Sequence, residues 1–266
     1  MKCATTGLTI ADLTSSNLLA FPCCGIKSLV HDGRCQKNRW LQMQLKNGLR
    51  AKFALGRDGR PCGYIEYLPG KYAWRAVSAP GYMFIHCIWT FSRPSQNKGV
   101  ASALLRACVE DAKRAGQQGV AVLAREGPWL ANSGVFLKNG FKVVETAAPD
   151  YQLLVSKLDP GAPNPAFTGN WERKLKKYGR GLTIVRSQQC PHIAKFADEI
   201  ADAAVSEYGL TPRIVELKSY RDARRAPTPY AVFSIIYDGR LLADHQISRS
   251  RFRNIMRTLH IECPHS

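Results

Sequence analysis

The segment 96–101 has the residue types that a phosphate-binding turn requires. It lies between an apolar stretch, 82–91, and an amphipathic stretch, 100–115, so it should connect a strand to the start of a helix. A helix N-terminus presents N–H groups without intrahelical acceptors and a partial positive charge. Gly99 would let the backbone approach a phosphate closely, and Ala101 would add little bulk. The sequence therefore predicts a pyrophosphate cradle here. Its residues are Gln96, Asn97, Lys98, Gly99, Val100 and Ala101.

Two side chains on predicted strands could exchange protons with a substrate. Glu66 lies in the predicted strand 63–67, and His86 lies in the predicted strand 82–91. Histidine titrates near neutral pH, and a carboxylate can accept a proton, so either could act as a general base. Two other interpretations stay open. His86 could be a structural histidine, and Glu66 could lie on the solvent face of an alternating strand.

Alternating strands and helices must position these groups in the first part of the chain. We expect strands near Leu8 and at 52–55, 63–67, 82–91, 119–124, 141–145 and 151–157, with helices at 37–47, 100–115 and 132–138. The helix 100–115 has apolar residues at helical spacing, and the strand 119–124 is short and apolar. The order predicts an α/β fold.

A proline-rich segment, 159–165, is the best domain boundary, because three prolines and a glycine there cannot continue a helix or a central strand. We therefore expect a first domain at 1–159, a linker at 160–180 and a second domain at 181–266. The second domain has predicted strands at 182–185, 213–218, 231–236 and 241–246, and helices at 193–208 and from residue 250. This βαβ…ββα order resembles thioredoxin, and Thr228-Pro229 lies where that fold has its cis-proline.

Composition limits the partners that the chain can have. The 266 residues carry a formal net charge of +18, which favours anionic partners such as phosphate-bearing cofactors. Nucleic acid is the less favoured partner, because no dense basic run stands out. No apolar stretch reaches the ~18 residues of a membrane span, and residues 1–20 lack the pattern of a signal peptide. We therefore expect a cytoplasmic protein whose nine cysteines stay reduced.

The turn 96–101 resembles the Q/R-x-x-G-x-G/A signature of the GNAT (GCN5-related) N-acetyltransferases. The segment Lys138-Asn139-Gly140-Phe141 is similar to the family's Y-x-K-x-G-F ending. This resemblance covers residues 5–158. The further match of the segments 66–70, 72–75 and 127–130, together with a thioredoxin-like tail, makes the whole chain similar to the YoaP-type acetyltransferases.

The resemblance implies a mixed sheet with flanking helices and a defined reaction. The acetyl group of acetyl-CoA would pass to an amine of a small molecule or peptide by direct attack. The amides of the turn 96–101 would hold the CoA pyrophosphate. The end of the predicted strand 82–91, at residues 88–90, would be splayed from the neighbouring strand at 120–124. Its exposed backbone would pair with pantetheine. GNAT proteins often dimerise, so a homodimer is one expectation. The further cofactor contacts implied are Ile88, Trp89, Thr90, Asn132 and Phe136.

Two departures from the family pattern leave the acid–base residues open. Phe136 stands where the family usually has a tyrosine that is a candidate general acid, and Trp129 stands where it often has an asparagine. Water, Ser133 or Tyr151 could supply the proton instead. The Phe136 substitution also keeps open a second interpretation, in which the chain is a non-catalytic, CoA-binding regulatory module.

The densest group of cysteines comprises Cys23, Cys24 and Cys35, with His31 between them. Thiolate and imidazole ligands suit zinc, but this spacing matches no zinc-finger pattern, so we predict no metal site. The same cysteines could be small buried residues or thiols that line the acceptor pocket.

Cys190 matches the first cysteine of a C-x-x-C motif at a helix start, where thiols can be nucleophilic. Ile193 replaces the second cysteine, so a structural or binding role is favoured over redox chemistry. Thiol-linked chemistry through Cys190 stays an alternative function.

Overall fold

The computed structural model describes residues 7–20, 24–91 and 99–259 of the chain. Within these ranges the chain divides into two compact units. The first unit comprises residues up to 29 together with 38–73 and 77–167, and the second comprises 30–37, 74–76 and the residues from 168 onwards. Each unit has its own sheet.

The first unit is built on a seven-stranded mixed sheet in the order β1-β2-β3-β5-β6-β8-β7. Its elements are β1 (Thr9–Asp12), α1 (Asp32–Leu45, whose first turns belong to the second unit), β2 (Arg50–Leu55), β3 (Pro61–Pro69), a 3-10 turn (Gly70–Tyr72), β4 (Val77–Ser78), β5 (Tyr82–Thr90), α2 (Val100–Arg114), β6 (Gly119–Ala124), α3 (Ser133–Leu137), β7 (Lys142–Ala147), β8 (Tyr151–Lys157) and β9 (Ala166–Phe167). β5 and β6 run parallel, and the other neighbours in this sheet run antiparallel. The mixed α/β architecture expected from the sequence is confirmed.

Helix α2 packs on the sheet through the stripe that its sequence predicts. Val100, Leu104, Cys108 and Ala112 are each at most 2% exposed and pack in one cluster with side chains of β3, β5 and β6. Gly63 in β3 allows this approach, since a Cβ atom there would lie 2.5 Å from Val100 Cγ1 and 3.0 Å from Leu104 Cδ1. The first turns of α2 therefore rest directly on the backbone of β3.

The second unit has a four-stranded sheet in the order β11-β10-β12-β13. Its elements are α4 (Trp171–Lys176), β10 (Leu182–Arg186), α5 (Ile193–Tyr208), β11 (Arg213–Glu216), α6 (Tyr220–Arg225), β12 (Phe233–Tyr237), β13 (Arg240–Ala243) and α7 (Arg249–Thr258). β10 and β11 are parallel, and the remaining pairs are antiparallel. This element order agrees with the predicted βαβ…ββα order, while the relationship to thioredoxin stays a prediction.

One local expectation for the second unit is wrong. Thr228–Pro229 is not a cis peptide bond, and the cis bond among the described residues is Ala148–Pro149 in the first unit. The trans form of an X–Pro bond is favoured by only about 0.5–1 kcal/mol, so the surrounding structure selects the isomer and the local sequence does not. The Thr228 hydroxyl instead supports a turn, in which it accepts a hydrogen bond from the Ala231 amide at 3.2 Å.

Two buried cations hold the loop that precedes α5. Lys37 Nζ donates to the Gln189 carbonyl at 2.6 Å, and Arg75 Nη1 donates to Gln189 Oε1 at 3.1 Å. The guanidinium of Arg75 also lies over the ring of Tyr230, 5.1 Å from its centroid. The backbone that carries Cys190 is thus fixed from two sides within the second unit.

Candidate functional site

The sheet of the first unit opens between β5 and β6. The two parallel strands pair from Tyr82 and Gly119 as far as Ile85 and Val122. β5 then continues to Thr90 and pairs only with β3 among the described strands, while β6 continues to Ala124 beside β8. Over residues 86–90, the edge of β5 that faces β6 can therefore pair with an extended ligand, as an added strand would.

A β-bulge in β5 coincides with this opening. Glu66 in β3 pairs with Cys87, and the next residue, Tyr67, pairs with Ile85, so His86 is the extra residue. A bulge bends its strand and increases the local twist. The bulge therefore gives a local reason for β5 to leave β6 just beyond Ile85.

Helix α2 is the element that follows β5 along the chain, and no side chain caps its N-terminus. Gly99 is the N-cap, with φ of 76° and no side-chain cap. Among the residues that the structure describes, a Cβ atom at Gly99 would meet nothing within 4 Å. The N–H groups of buried Val100 and half-buried Ala101 have no intrahelical acceptors, which suits an anion. The other predicted cradle residues, Gln96, Asn97 and Lys98, lie outside the described residues.

The three β5 residues predicted to contact a cofactor lie along the opened edge. Trp89 is 53% exposed, whereas Ile88 and Thr90 are half-buried. Ile88 also packs against the core beneath α2. The structure thus brings these residues to the place that the sequence interpretation requires, and their contact with a ligand stays a prediction.

The two candidate general bases are both buried. Glu66 has no exposed surface and accepts a hydrogen bond from the Tyr64 hydroxyl at 2.6 Å. His86 is 3% exposed, and its ring centroid lies 5.4 Å from that of Phe84 and 6.2 Å from that of Trp40. Glu66 and His86 lie at adjacent positions on β3 and β5, and the rings of Phe84 and Trp40 pack near His86. Glu66 is therefore not on a solvent face, and the catalytic roles of both residues stay predictions.

Helix α3 carries the remaining predicted site residues. Asn132 is its N-cap, and Asn132 Oδ1 accepts from the Gly134 amide at 2.7 Å. Ser133 is buried, and its hydroxyl donates to Glu126 Oε1 at 3.2 Å. Phe136 has no exposed surface and packs edge-on against Phe141, with ring centroids 5.6 Å apart. Phe136 is thus a core residue of this unit, and its contact with a cofactor stays a prediction.

Glu126 is a candidate site residue that the sequence interpretation misses. It is exposed, and it lies two residues beyond the end of β6. Its carboxylate accepts hydrogen bonds from Ser133 Oγ and from Asn132 Nδ2. Glu126 is separated from Asn132 and Ser133 by a loop, so no helical or strand periodicity predicts their contact, and only the folded loop brings them together.

The loop that carries Glu126 is held by a buried arginine. Arg125 is 6% exposed, and its Nη2 lies 2.8 Å from Asp150 Oδ1. Arg125 Nη1 donates to the Tyr151 hydroxyl at 3.0 Å, and Asp150 Oδ2 accepts from the Gly127 amide at 3.0 Å. The backbone on both sides of Glu126 is therefore anchored to the start of β8.

A second carboxylate of this unit, Asp111 in α2, is 2% exposed. Asp111 Oδ2 accepts from the Tyr67 hydroxyl at 2.7 Å and lies 3.2 Å from Lys52 Nζ and 3.2 Å from Arg50 Nη1. Arg114 pairs with its other oxygen. Burial also raises the pKa of the Tyr67 phenol well above its usual value, so Tyr67 stays a donor to Asp111. This cluster joins α2 to β2 and β3.

The candidate thiols fall in separate elements. Cys24, Cys35 and Cys190 are each half-buried, and Cys23 lies outside the described residues. Among the residues that the structure describes, no group of three or more His, Cys, Asp or Glu side chains could hold a metal ion. Within the same residues, no helix is long and apolar enough to cross a membrane.

Comparison with known families gives two matches. Residues 21–141 match the acetyltransferase (GNAT) family, and residues 213–254 match the YoaP-like family. The uncharacterized N-acetyltransferase YoaP of Bacillus subtilis strain 168 is 29% identical to the chain over 240 residues, which is 89% of this chain and 93% of that protein.

Solved structures with a similar fold include two acetyltransferase complexes. A GNAT family acetyltransferase from Brucella melitensis, in complex with acetyl-CoA, is 16% identical, covers 61% of this chain and 96% of its own, and gives a TM-score of 0.39. A phosphinothricin acetyltransferase from Sinorhizobium meliloti, also with acetyl-CoA, is 14% identical, covers 60% and 94%, and gives a TM-score of 0.44.

Proposed function

Because residues 21–141 match the GNAT acetyltransferase family and residues 213–254 match the YoaP-like family, we propose that this chain transfers the acetyl group of acetyl-CoA to an amine of a small molecule or peptide. Its similarity to an N-acetyltransferase over most of its length supports an acyltransferase activity. The proposal adds three points: the class of acceptor, direct transfer without a covalent enzyme intermediate, and a cytoplasmic location.

The opening between β5 and β6 is the observation that carries the proposal. Pairing of the strands stops at Ile85 and Val122, although both strands continue. An extended ligand that carries amide groups can form main-chain hydrogen bonds to the edge of β5 that lies toward β6 beyond Ile85. The pantetheine arm of acetyl-CoA has this chemistry.

The N-terminus of α2 supports the same ligand. The cofactor's diphosphate is an anion, and the amides that follow Gly99 form a helix start whose N-cap makes no side-chain hydrogen bond. Residues 86–90 and 99–101 would thus hold the two parts of acetyl-CoA. When bound, acetyl-CoA supplies the acetyl group as an activated thioester.

The residues of the chain would orient the thioester and stabilise the negative charge that develops on its carbonyl oxygen. A backbone N–H near Trp89 or Thr90 would polarise the thioester carbonyl, because a fixed donor stabilises negative charge on oxygen. Exposed Trp89 would cover one side of the cleft and exclude water. Direct attack then requires that the neutral amine, after it has lost a proton to water or to a base of the site, reach the carbonyl carbon at the right angle. The new C–N bond forms as the C–S bond breaks, and CoA leaves as the thiolate.

Two glycines of α2 provide a matched test of cofactor binding. Gly99 and Gly116 flank the same helix, have φ of 76° and 63°, and would each place a Cβ atom in open space. Alanine at either position pays a similar backbone strain of roughly 1 kcal/mol. Isothermal titration with CoA should therefore give an affinity about tenfold weaker for Gly99→Ala, and a change below about twofold for Gly116→Ala. Equal affinities for the two variants would contradict the phosphate site at Gly99.

Activity is tested by thiol release from acetyl-CoA over a panel of primary amines, with mass spectrometry of the products. We expect acetylated amine and CoA in equal amounts. If CoA binds and no amine is acetylated, the non-catalytic CoA-binding module replaces the proposed function. If CoA does not bind at all, both interpretations fail.

A further inference from the structure

We propose that Glu126 binds the acceptor as its ammonium form, so that the acceptors of this protein are amines that carry no carboxylate beside the reacting nitrogen. This inference rests on the proposed function and adds the charge of the acceptor to it. It makes Glu126 a specificity-determining residue.

The first support is the way in which Glu126 is held. Ser133 Oγ donates to Glu126 Oε1 at 3.2 Å, and Asn132 Nδ2 donates to Glu126 Oε2. Asn132 is itself fixed, because its Oδ1 accepts from the Gly134 amide. The exposed carboxylate thus has a defined position, although exposed glutamates usually sample several rotamers.

The second support is the missing countercharge. Ser133 and Asn132 are neutral, and no lysine or arginine of the described residues forms an ion pair with Glu126. The neighbouring carboxylate differs, since Asp150 lies 2.8 Å from Arg125 Nη2. Each carboxylate oxygen can accept further hydrogen bonds, as an ammonium group would supply.

The third support is the position of Glu126 along the cleft. β6 pairs in parallel with β5 up to Val122 and Ile85. β6 ends at Ala124, two residues before Glu126, and β5 continues to Thr90 beyond its last pair with β6. Glu126 therefore follows β6 at the end of the sheet where the two strands diverge, which is the cleft in which the cofactor is proposed to bind.

These observations define the acceptor by charge. An aliphatic amine is protonated at neutral pH, so it approaches the cleft as a cation. The net positive field of the protein opposes that approach, and a local carboxylate attracts the cation and orients it. An amine with an adjacent carboxylate would be repelled by Glu126.

Steady-state kinetics test this role with a matched pair of variants. Glu126→Gln removes the charge, and Glu110→Gln removes an equal charge from an exposed position on α2. With n-butylamine, phenethylamine and spermidine as acceptors, Glu126→Gln should raise KM for the amine about threefold to tenfold and leave kcat within about twofold. Added salt should raise KM for the wild type and change it little for Glu126→Gln. Glu110→Gln should behave as the wild type does.

A merely structural role for Glu126 predicts a different result. Loss of loop support would lower the melting temperature and weaken CoA binding, and it would leave the salt dependence of the amine KM unchanged. Unchanged KM in Glu126→Gln, or a lowered affinity for CoA without a change in salt dependence, would overturn the proposal.

A binding experiment without acetyl-CoA separates this inference from the proposed function. Nitrogen-15 NMR would follow the amides of Gly127 and Gly134, which flank the cluster, during titration with n-butylammonium chloride and, separately, n-butanol. We expect saturable shifts with the ammonium ion in the wild type and in Glu110→Gln, and none in Glu126→Gln or with the alcohol. Equal shifts in Glu126→Gln would reject the site, even if acetyl transfer is demonstrated. Failure of CoA titration in the same samples would reject the proposed function and leave this result standing.

Discussion

Asp111 and Glu126 are two carboxylates of the same unit with opposite surroundings. Asp111 is 2% exposed and accepts a hydrogen bond from the Tyr67 hydroxyl at 2.7 Å. The cations paired with it are Lys52, Arg50 and Arg114. Glu126 is exposed and is held by two neutral donors, with no ion pair to a cation among the described residues.

This difference separates a structural carboxylate from one that can bind a ligand. Burial by itself raises the pKa of Asp111, but the hydrogen bond from Tyr67 and the charge of Lys52 outweigh it, so the pKa lies below its usual value. The charge of Asp111 is thus used within the fold, where it joins α2 to the sheet. The charge of Glu126 is used by no cation of the described structure. A carboxylate-to-amide substitution should therefore affect stability at one site and recognition at the other.

The largest effect on stability should come from Asp111→Asn. The substitution removes the buried carboxylate that pairs with Lys52, Arg50 and Arg114, while Lys52 keeps an ion pair with Asp12. The cost should therefore be about 2–3 kcal/mol, below that of a buried cation left with no partner. Urea unfolding followed by circular dichroism would measure the loss. A cost below about 1 kcal/mol would show that the cluster does not hold α2 to the sheet.

The same residue makes a prediction about pH. Because the pKa of Asp111 is lower in the folded than in the unfolded chain, its contribution is complete above the unfolded value of 3.8 and is lost as pH falls through the folded value. The difference in unfolding free energy between the wild type and Asp111→Asn should therefore shrink as pH falls below 3.8. A constant difference across acid pH would contradict this assignment.

An intermediate effect is expected at Glu207 in α5, which joins α5 to α7 at the surface. It accepts hydrogen bonds from Arg253 and Arg249, each at 2.6 Å. The hydrogen bond from Arg253, against a smaller effect of burial, lowers the pKa of Glu207 to about 2. Glu207→Gln should cost about 0.5–1 kcal/mol at neutral pH, since solvent and salt screen such pairs. Its contribution should disappear between pH 4.5 and about 2, which acid unfolding of the two proteins would measure.

The smallest effect on stability is expected for Glu126→Gln. The glutamine carbonyl can still accept from Ser133, and no buried cation loses its partner. The unfolding free energy should change by less than about 0.5 kcal/mol, as for most surface substitutions. A cost as large as that of Asp111→Asn would end the contrast between the two carboxylates, and would assign Glu126 to the fold.

Much of the fold could be predicted from the sequence, because its main elements obey simple periods. The stripe of α2 and the apolar run of β6 were both expected within one residue of their observed limits. Helix α1 was expected from residue 37, but it begins at Asp32. A glycine in a first turn weakens a helix prediction, yet Gly33 is needed here, since a Cβ atom would lie 1.9 Å from the carbonyl oxygen of Pro191. Gly33 and Pro191 are far apart in the chain, so no local sequence pattern predicts their contact.

Only the part of the candidate site that would bind a ligand through main-chain groups could be predicted from the sequence. Gly99 could be recognised because a helix start and a missing side chain are local features. Glu126 could not, because its donors depend on how the loop after β6 folds back. The bulge at His86 could not be predicted from the sequence either. Ile85 and Ile88 both pack in the cluster beneath α2, whereas strict alternation would put residues three apart on opposite faces. Sequence alternation therefore assigns the wrong face to the end of β5.

The absence of a side chain at Gly63 sets the angle at which helix α2 packs on the sheet. Helix α2 is about 22 Å long at 1.5 Å per residue, and it touches Gly63 through Val100 and Leu104, close to one end. A methyl group there would need about 1 Å more room than the present 2.5 Å separation allows, and it would lift that end while Ala112 stays seated. The helix would pivot, and the amides beyond Gly99 would no longer point where they do now. The proposed anion site at the start of α2 thus depends on Gly63, a residue of β3 on which the first turns of the helix pack.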